Sequence, residues 1–194
     1  MGKNKVLFGL EKVYVAFKED DGYAKPVHIP GAVNMALNAE GETNTFYADN
    51  IAYFAITSNN GYTGDLEMAL IPDDVLAEMM GWEIDENGML VEIADGKQKE
   101  FALLFEVSGN ENNKRYVYYN CTSGKPNDEH ETKGESTEPT TSTLTLTVTP
   151  TEIDGKKVVR GNLELSDTNE AAFNAFYDEV LMPKFGTGGG TEGQ

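Results

Sequence analysis

The sequence predicts a mainly β domain of antiparallel strands, and three observations carry that prediction. Five dipeptides that supply positive φ to tight turns, Asp21-Gly22, Asn60-Gly61, Asn87-Gly88, Asp95-Gly96 and Asp154-Gly155, are each flanked by β-branched or aromatic residues. Leu144, Leu146 and Val148 alternate with Thr143, Thr145, Thr147 and Thr149, a period of two that buries one face of a strand and wets the other. The length, 194 residues, suits one domain that can bury a sizeable core without disulfides or metal.

In chain order, 13–17 reads as a strand that turns over 20–22 into a second strand at 27–29. Residues 73–80 follow Pro72 and stop at Gly81, with Val75, Leu76, Met79 and Met80 on one side; proline suits the first turn of a helix and glycine its end. The run 101–107 is expected to pair with 116–119 across a polar turn at 110–114. A second helix is expected from Ser166-Asp167, where Glu170 completes a capping-box-like start, to Pro183, with Phe173, Phe176, Tyr177, Val180 and Leu181 at helical spacing. It is the longer of the two and is expected to flank the sheets, while the first closes a corner.

Three stretches fit neither pattern. Residues 41–64, rich in Asn, Thr and Tyr, are expected as a long loop of functional kind. Residues 124–139 read as an acidic loop and 186–194 as a flexible glycine-rich tail. Residues 1–185 then form the single domain.

Charge excludes one class of partner. Lys and Arg number 15 against 33 Asp and Glu, a net of −18, whereas a protein that grips nucleic acid or an anionic membrane by its phosphates needs clustered cations. The lone Cys121 closes no internal bridge. The start MGKNKVLFGL has no apolar stretch of export type, and no run approaches the ~18 apolar residues of a membrane span. The expectation is a chain folded in a cytoplasm, without membrane insertion.

Catalytic chemistry finds no support in residue types or spacing. His28 sits between Val27 and Ile29 on an expected strand, and His130 lies in the acidic loop. Cys121 follows an aromatic strand and reads as a small buried hydrophobe. The segment from Glu83 resembles the front of a calcium loop through Asp85, Asn87 and Gly88, but its twelfth position, where a bidentate Glu is required, is Ala94. No catalytic, cofactor-binding or metal site is expected, and the chain is not expected to be an enzyme.

One block is specific. FYADNIAYFAITSNNGYTGDLEMALIPDD, residues 46–74, combines paired aromatics with amide-rich turns and ends in a strand and the Pro72 helix start. Tyrosine gives large contact area at low entropy cost and is enriched at interfaces. The candidate site is therefore a contact surface made of Phe46, Tyr47, Asp49, Asn50, Tyr53, Phe54, Asn59, Asn60, Tyr62 and Asp65. Residue types alone leave two readings, a docking arm or a loop folded onto its own domain.

In this block the chain resembles the major tail proteins of long-tailed bacteriophages (siphophages), the subunits of the tail tube. The matching segments are Tyr47-Ala48-Asp49-Asn50, Asn59-Asn60-Gly61-Tyr62, Gly64-Asp65-Leu66-Glu67 and Ala69-Leu70-Ile71-Pro72-Asp73. The resemblance continues through 101–107, 116–126 and 143–150, and departs in the acidic loop around 128–138 and the glycine tail. It implies a two-sheet β-sandwich, barrel-like, with one flanking α-helix, a short second helix and a long interface loop. It also implies self-assembly into rings, commonly hexameric, that stack into a tube conducting double-stranded DNA at ejection. The implied partners are further copies of the chain, a tape measure protein and a tail terminator. DNA would pass without specific binding, in a virion assembled in the cytoplasm of the bacterial host.

Two rival readings belong to other classes. A surface β-sandwich module would use the same tyrosines to stack on carbohydrate. A hydrolase would use Asp65 and Glu67, but these alternate with Leu66 and Met68 and read as a solvated strand face. The tube reading carries its own expectation: acids should outnumber bases on the wall of the channel, so that phosphates are repelled.

Overall fold

The computed structural model describes residues 9–48, 51–109, 113–127 and 141–185, with 43–48 and 51–56 as backbone alone. His130, the acidic stretch beyond residue 127 and the glycine tail lie outside the described residues, as do Asp49 and Asn50. The strands are β1 (Leu10–Glu19), β2 (Gly22–Tyr23), β3 (Val27–Ile29), β4 (Ala32–Glu40), β5 (Thr43–Ala48), β6 (Ile51–Thr57) and β7 (Gly61–Met68). Helix α1 (Asp73–Met80) follows, then β8 (Glu83–Ile84), β9 (Leu90–Val91), β10 (Phe101–Val107), β11 (Lys114–Ser123) and β12 (Ser142–Val148). The chain continues through β13 (Thr151–Ile153), β14 (Lys156–Val158), β15 (Arg160–Glu164), helix α2 (Glu170–Asn174) and a 3-10 turn, Ala175–Tyr177.

The mainly β class with two helices is the one expected. Its main body is one antiparallel sheet in the order β2-β1-β10-β11-β12-β7-β4, with β3 also on β1 and β15 also on β11. Strand β11 makes this possible: Lys114 to Tyr118 pair with β15, while Cys121 to Ser123 pair with β12. One hydrogen-bonded ladder thus runs through both layers. Strands β3 and β4 sit at opposite ends of the order yet are separated only by Pro30 and Gly31. The sheet therefore curls until its ends meet at that corner, where the Gly31 carbonyl accepts from Ala69 N at 2.7 Å.

Strand β10 lies at the centre. Phe101, Leu103 and Phe105 join Val13, Val15, Leu66, Leu144, Leu146 and Val148 inside the curl, capped by Val75 and Met79 of α1. Ala102 and Leu104 point the other way, into a second cluster with Val117, Tyr119, Phe176 and Val180. Burial on both faces explains why 101–107 is a continuous apolar run while β12 alternates. Each such side chain contributes roughly 1.5–3 kcal/mol.

Three expectations change. The segment 41–64 is regular: β5 pairs with β6 in a hairpin, and β7 begins at Gly61. Its aromatics obscure the period of two because the ladder slips between Phe46 and Tyr47. Next, α2 is shorter than α1, with five residues against eight. Asp167 lies in a turn, and the Asn169 side chain bonds Ser166 N and the Glu164 carbonyl in place of the helix N-terminus. A 3-10 turn follows the helix, where Phe176 enters the second cluster and Tyr177 packs against the same cluster, stacked on Tyr14 at 4.5 Å. Finally, Asp154-Gly155 and Asn87-Gly88 make hairpin turns, and Asp20-Asp21 precede Gly22 in another. Asn60-Gly61 and Asp95-Gly96 do not link paired strands.

Candidate functional site

Strands β4 and β7 pair from Ala32↔Met68 to Glu40↔Gly61, and their continuations pair from Thr43↔Thr57 to Ala48↔Ile51. Between the two ladders, Asn60 N donates to the Glu40 carbonyl and Ser58 N to the Glu42 carbonyl, each at 2.8 Å. The whole is one antiparallel ribbon. Its outer part, β5–β6, is a sheet of its own, paired with no other strand among the described residues. Six register pairs make this arm about 20 Å long.

The predicted contact residues divide along the ribbon. Phe46, Tyr47, Tyr53 and Phe54 lie on the arm; Phe46 pairs with Phe54, and Tyr53 is the residue the ladder skips. Asn59 and Asn60 are exposed at the root, where Asn59 Oδ1 accepts from Gly61 N at 3.1 Å. Tyr62 belongs to the body. Its ring meets Tyr118 edge-on at 5.5 Å and lies 5.2 Å from the Arg160 guanidinium. Asp65 is exposed on β7 and accepts from Thr145 Oγ1 at 3.0 Å.

Asp65 stands on a polar face that sequence reading saw only in part. The registers align Asn34 with Glu67 and Thr143, Ala36 with Asp65 and Thr145, and Asn38 with Thr63 and Thr147. Leu66, Leu144 and Leu146 alternate with these and point into the core. Thr141 Oγ1 donates to Glu67 at 2.6 Å. This face carries Glu40, Asp65 and Glu67 and no Lys or Arg. The alternation in 33–40 was the signal for it, masked because Ala36, an apolar residue, stands on the polar face opposite Asp65.

Ionisable groups elsewhere are committed to structure. Burial pushes the Glu106 carboxyl up, but Arg115 and Lys12, at 2.8 and 3.0 Å, outweigh that and hold it below the ordinary range. Glu100 is held low by Lys18 and by Asn120, at 2.6 and 3.1 Å, and so ties β1 to β11. Backbone and side-chain bonds from Met89 and Asn87 hold Asp85 low and make it part of the turn. Cys121 is fully buried, which pushes its thiol up. His28 is exposed, with the Tyr14 ring 4.7 Å away. Among the described residues no group of His, Cys, Asp or Glu is placed to hold a metal, and no helix is long and apolar enough to cross a membrane.

A family model described as phage tail tube protein matches residues 5–186. The chain belongs to the phage tail tube protein family. It is therefore a structural tail protein, a component of the virion that assembles with itself and with other tail components, and not an enzyme. The tail tube protein is also similar to a chain in the cryo-EM structure of the anti-feeding prophage (AFP) baseplate, 6-fold symmetrised. The two share 9% identity and a TM-score of 0.45 over 84% of this chain and 97% of that one. No curated protein matches it.

Proposed function

We propose that this tail tube protein is the major tail protein of a long-tailed phage. Six copies close into a ring, and rings stack into the tube through which double-stranded DNA leaves the virion. The arm carries this reading: it continues the β4–β7 ribbon as a sheet of its own, and among the described residues its strands pair with each other alone. Its backbone edges and its aromatic sequence, Phe46, Tyr47, Tyr53 and Phe54 with Asp49 and Asn50 between them, supply the contact with another copy. Asn59 and Asn60 give the root of the arm its polar rim, Asp65 faces the channel, and Tyr62 fixes the root to the body. The tube is built in the cytoplasm of the bacterial host, on a tape measure protein and under a tail terminator.

In this reading the face of β4, β7 and β12 lines the channel. Its acids repel phosphates, and with no Lys or Arg it makes none of the counterion-releasing contacts that would hold DNA back.

Electron microscopy of the concentrated protein tests the proposal. Tubes or stacked rings are expected, and a variant with 43–57 replaced by a two-residue turn should stay a folded monomer. Normal tubes from the armless variant, or monomers at every concentration, would overturn it; monomers that bind sugar saturably would favour the carbohydrate-module reading.

A further inference from the structure

Strands β1, β10 and β11 meet at a polar contact that has no part in the tube reading. Lys18 lies in β1, Glu100 immediately precedes β10, and Asn120 lies in β11. Lys18 Nζ donates to Glu100 Oε2 at 2.6 Å and to Asn120 Oδ1 at 3.2 Å. Asn120 Nδ2 donates to Glu100 Oε1 at 3.1 Å and to Thr149 Oγ1 at 2.9 Å. An amine, a carboxamide and a carboxylate therefore form a triangle in which each touches the other two. The one carboxylate holds both nitrogens.

Backbone geometry builds this triangle. Lys18 N donates to the Glu100 carbonyl at 2.8 Å, which carries the β1–β10 ladder one step beyond the Phe17↔Phe101 pair. On the other side of β10 the register shifts, with Phe101 opposite Cys121 and Leu103 opposite Tyr118, so β11 holds one extra residue. Tyr119 and Cys121, two apart, accordingly enter opposite clusters. A bulge re-aims a side chain, and the one re-aimed here is Asn120. It is 6% exposed, and its own carbonyl accepts from Thr149 N at 2.9 Å, so the carboxamide is fixed in place. Lys18 and Glu100 are partly exposed, which leaves a small leaving group a way out.

A salt bridge needs only the lysine and the glutamate. The buried carboxamide, with its carbonyl on the amine and its N–H groups on Glu100 and Thr149, adds the remaining parts of an acyl transfer: acyl carbon and leaving group beside a nucleophile and a base. We propose that Lys18 and Asn120 join in an intramolecular isopeptide bond, with Glu100 as the general base. Glu100 takes a proton from the Lys18 ammonium, and the freed Nζ lone pair attacks Asn120 Cγ. As the Cγ–Nδ2 bond breaks, Glu100 passes that proton to Nδ2, and then the one that Nζ sheds on acylation. Nδ2 leaves as ammonium, and Glu100 ends as the carboxylate it began as. The event happens once per chain and uses no cofactor. It ties β1 to β11 across β10, between residues 102 positions apart.

Mass spectrometry of the purified full-length chain, kept at room temperature until its mass is constant, tests this. The wild type should be lighter by one ammonia, and its tryptic digest should contain a branched peptide joining Lys18 to Asn120. Lys18→Arg and Glu100→Gln should keep the full mass and give no branch. The bond closes a loop of about 100 residues in the unfolded chain, so the wild type should melt roughly 10 °C above either variant. A wild type of full mass, or one whose ammonia is lost to a succinimide or to Asp at position 120 with no branched peptide, would overturn the proposal whether or not the variants fold. A branch that still forms in Glu100→Gln would overturn the role of Glu100 as the base.

Discussion

Glu106 and Arg115 face each other across the β10–β11 register, with Arg115 Nε 2.8 Å from a carboxylate that has no solvent exposure. The same guanidinium lies 3.8 Å from the centre of the Phe173 ring and 4.7 Å from that of Tyr177, and donates to the Phe173 carbonyl. One side chain thus neutralises a buried acid and docks the C-terminal helix onto the sheet. Among the described residues, Arg115→Ala leaves Glu106 with Lys12 and Asn113 as its side-chain partners. The expected cost is about 3–5 kcal/mol, a fall in melting midpoint of roughly 10 °C. Arg115→Met with Glu106→Leu should recover most of that loss. If the double variant melts as low as Arg115→Ala, the penalty is lost packing and not a stranded charge.

The same carboxylate sets a pH dependence. Glu106 and Glu100 both titrate below the ordinary carboxylate range in the folded chain. Their stabilisation is complete above the unfolded value and is lost as pH falls through the folded ones, so it disappears in acid below about pH 4.5. Melting midpoints measured from pH 7 to pH 3 should fall over that window. Glu106→Gln should start lower at pH 7 and fall less steeply; an unchanged slope would remove Glu106 from the account.

Gly64 lies where β7 is paired on both sides, and a Cβ there would stand 1.9 Å from the Ala36 carbonyl oxygen. Gly64→Ala must push β4 away from β7 and should cost about 1–3 kcal/mol. Amide exchange localises the damage: Ala36 to Asn38 should lose protection first, and protection loss spread evenly over the chain would contradict a local clash.

Charge on the polar strand face should govern DNA passage. In the assembled tube, Asp65→Lys with Glu67→Lys should make short duplex DNA co-sediment at low salt and release it as salt rises, while wild-type tubes stay free of it at any salt. Equal behaviour of the two would place this face outside the channel.

Much of the body was legible in the sequence because local chemistry and burial agree there. Leu144, Leu146 and Val148 are buried and Thr145 and Thr147 exposed, as their alternation requires. Asp154 and Gly155 have φ of 50° and 72°, the turn their residue types favour. The arm was not legible as strand, since the slip of its ladder between Phe46 and Tyr47 breaks the period of two. Tyr62 shows the converse: grouped with the arm by composition, it belongs to the body, because it pairs with Ala39 and Val148 inside the main sheet and its ring meets Tyr118. The Asn169 side chain, spent on Ser166 and Glu164, accounts for the misplaced helix start.

The ribbon also decides how the subunit carries load. Because Asn60 and Ser58 carry the β4–β7 ladder on into β5–β6, a pull on the arm acts along the axis of β7. The seven pairs joining β7 to β12 lie across that direction. They must slide together instead of unzipping one after another. A tube joined through such arms would meet stretching with all seven of those pairs in shear at once.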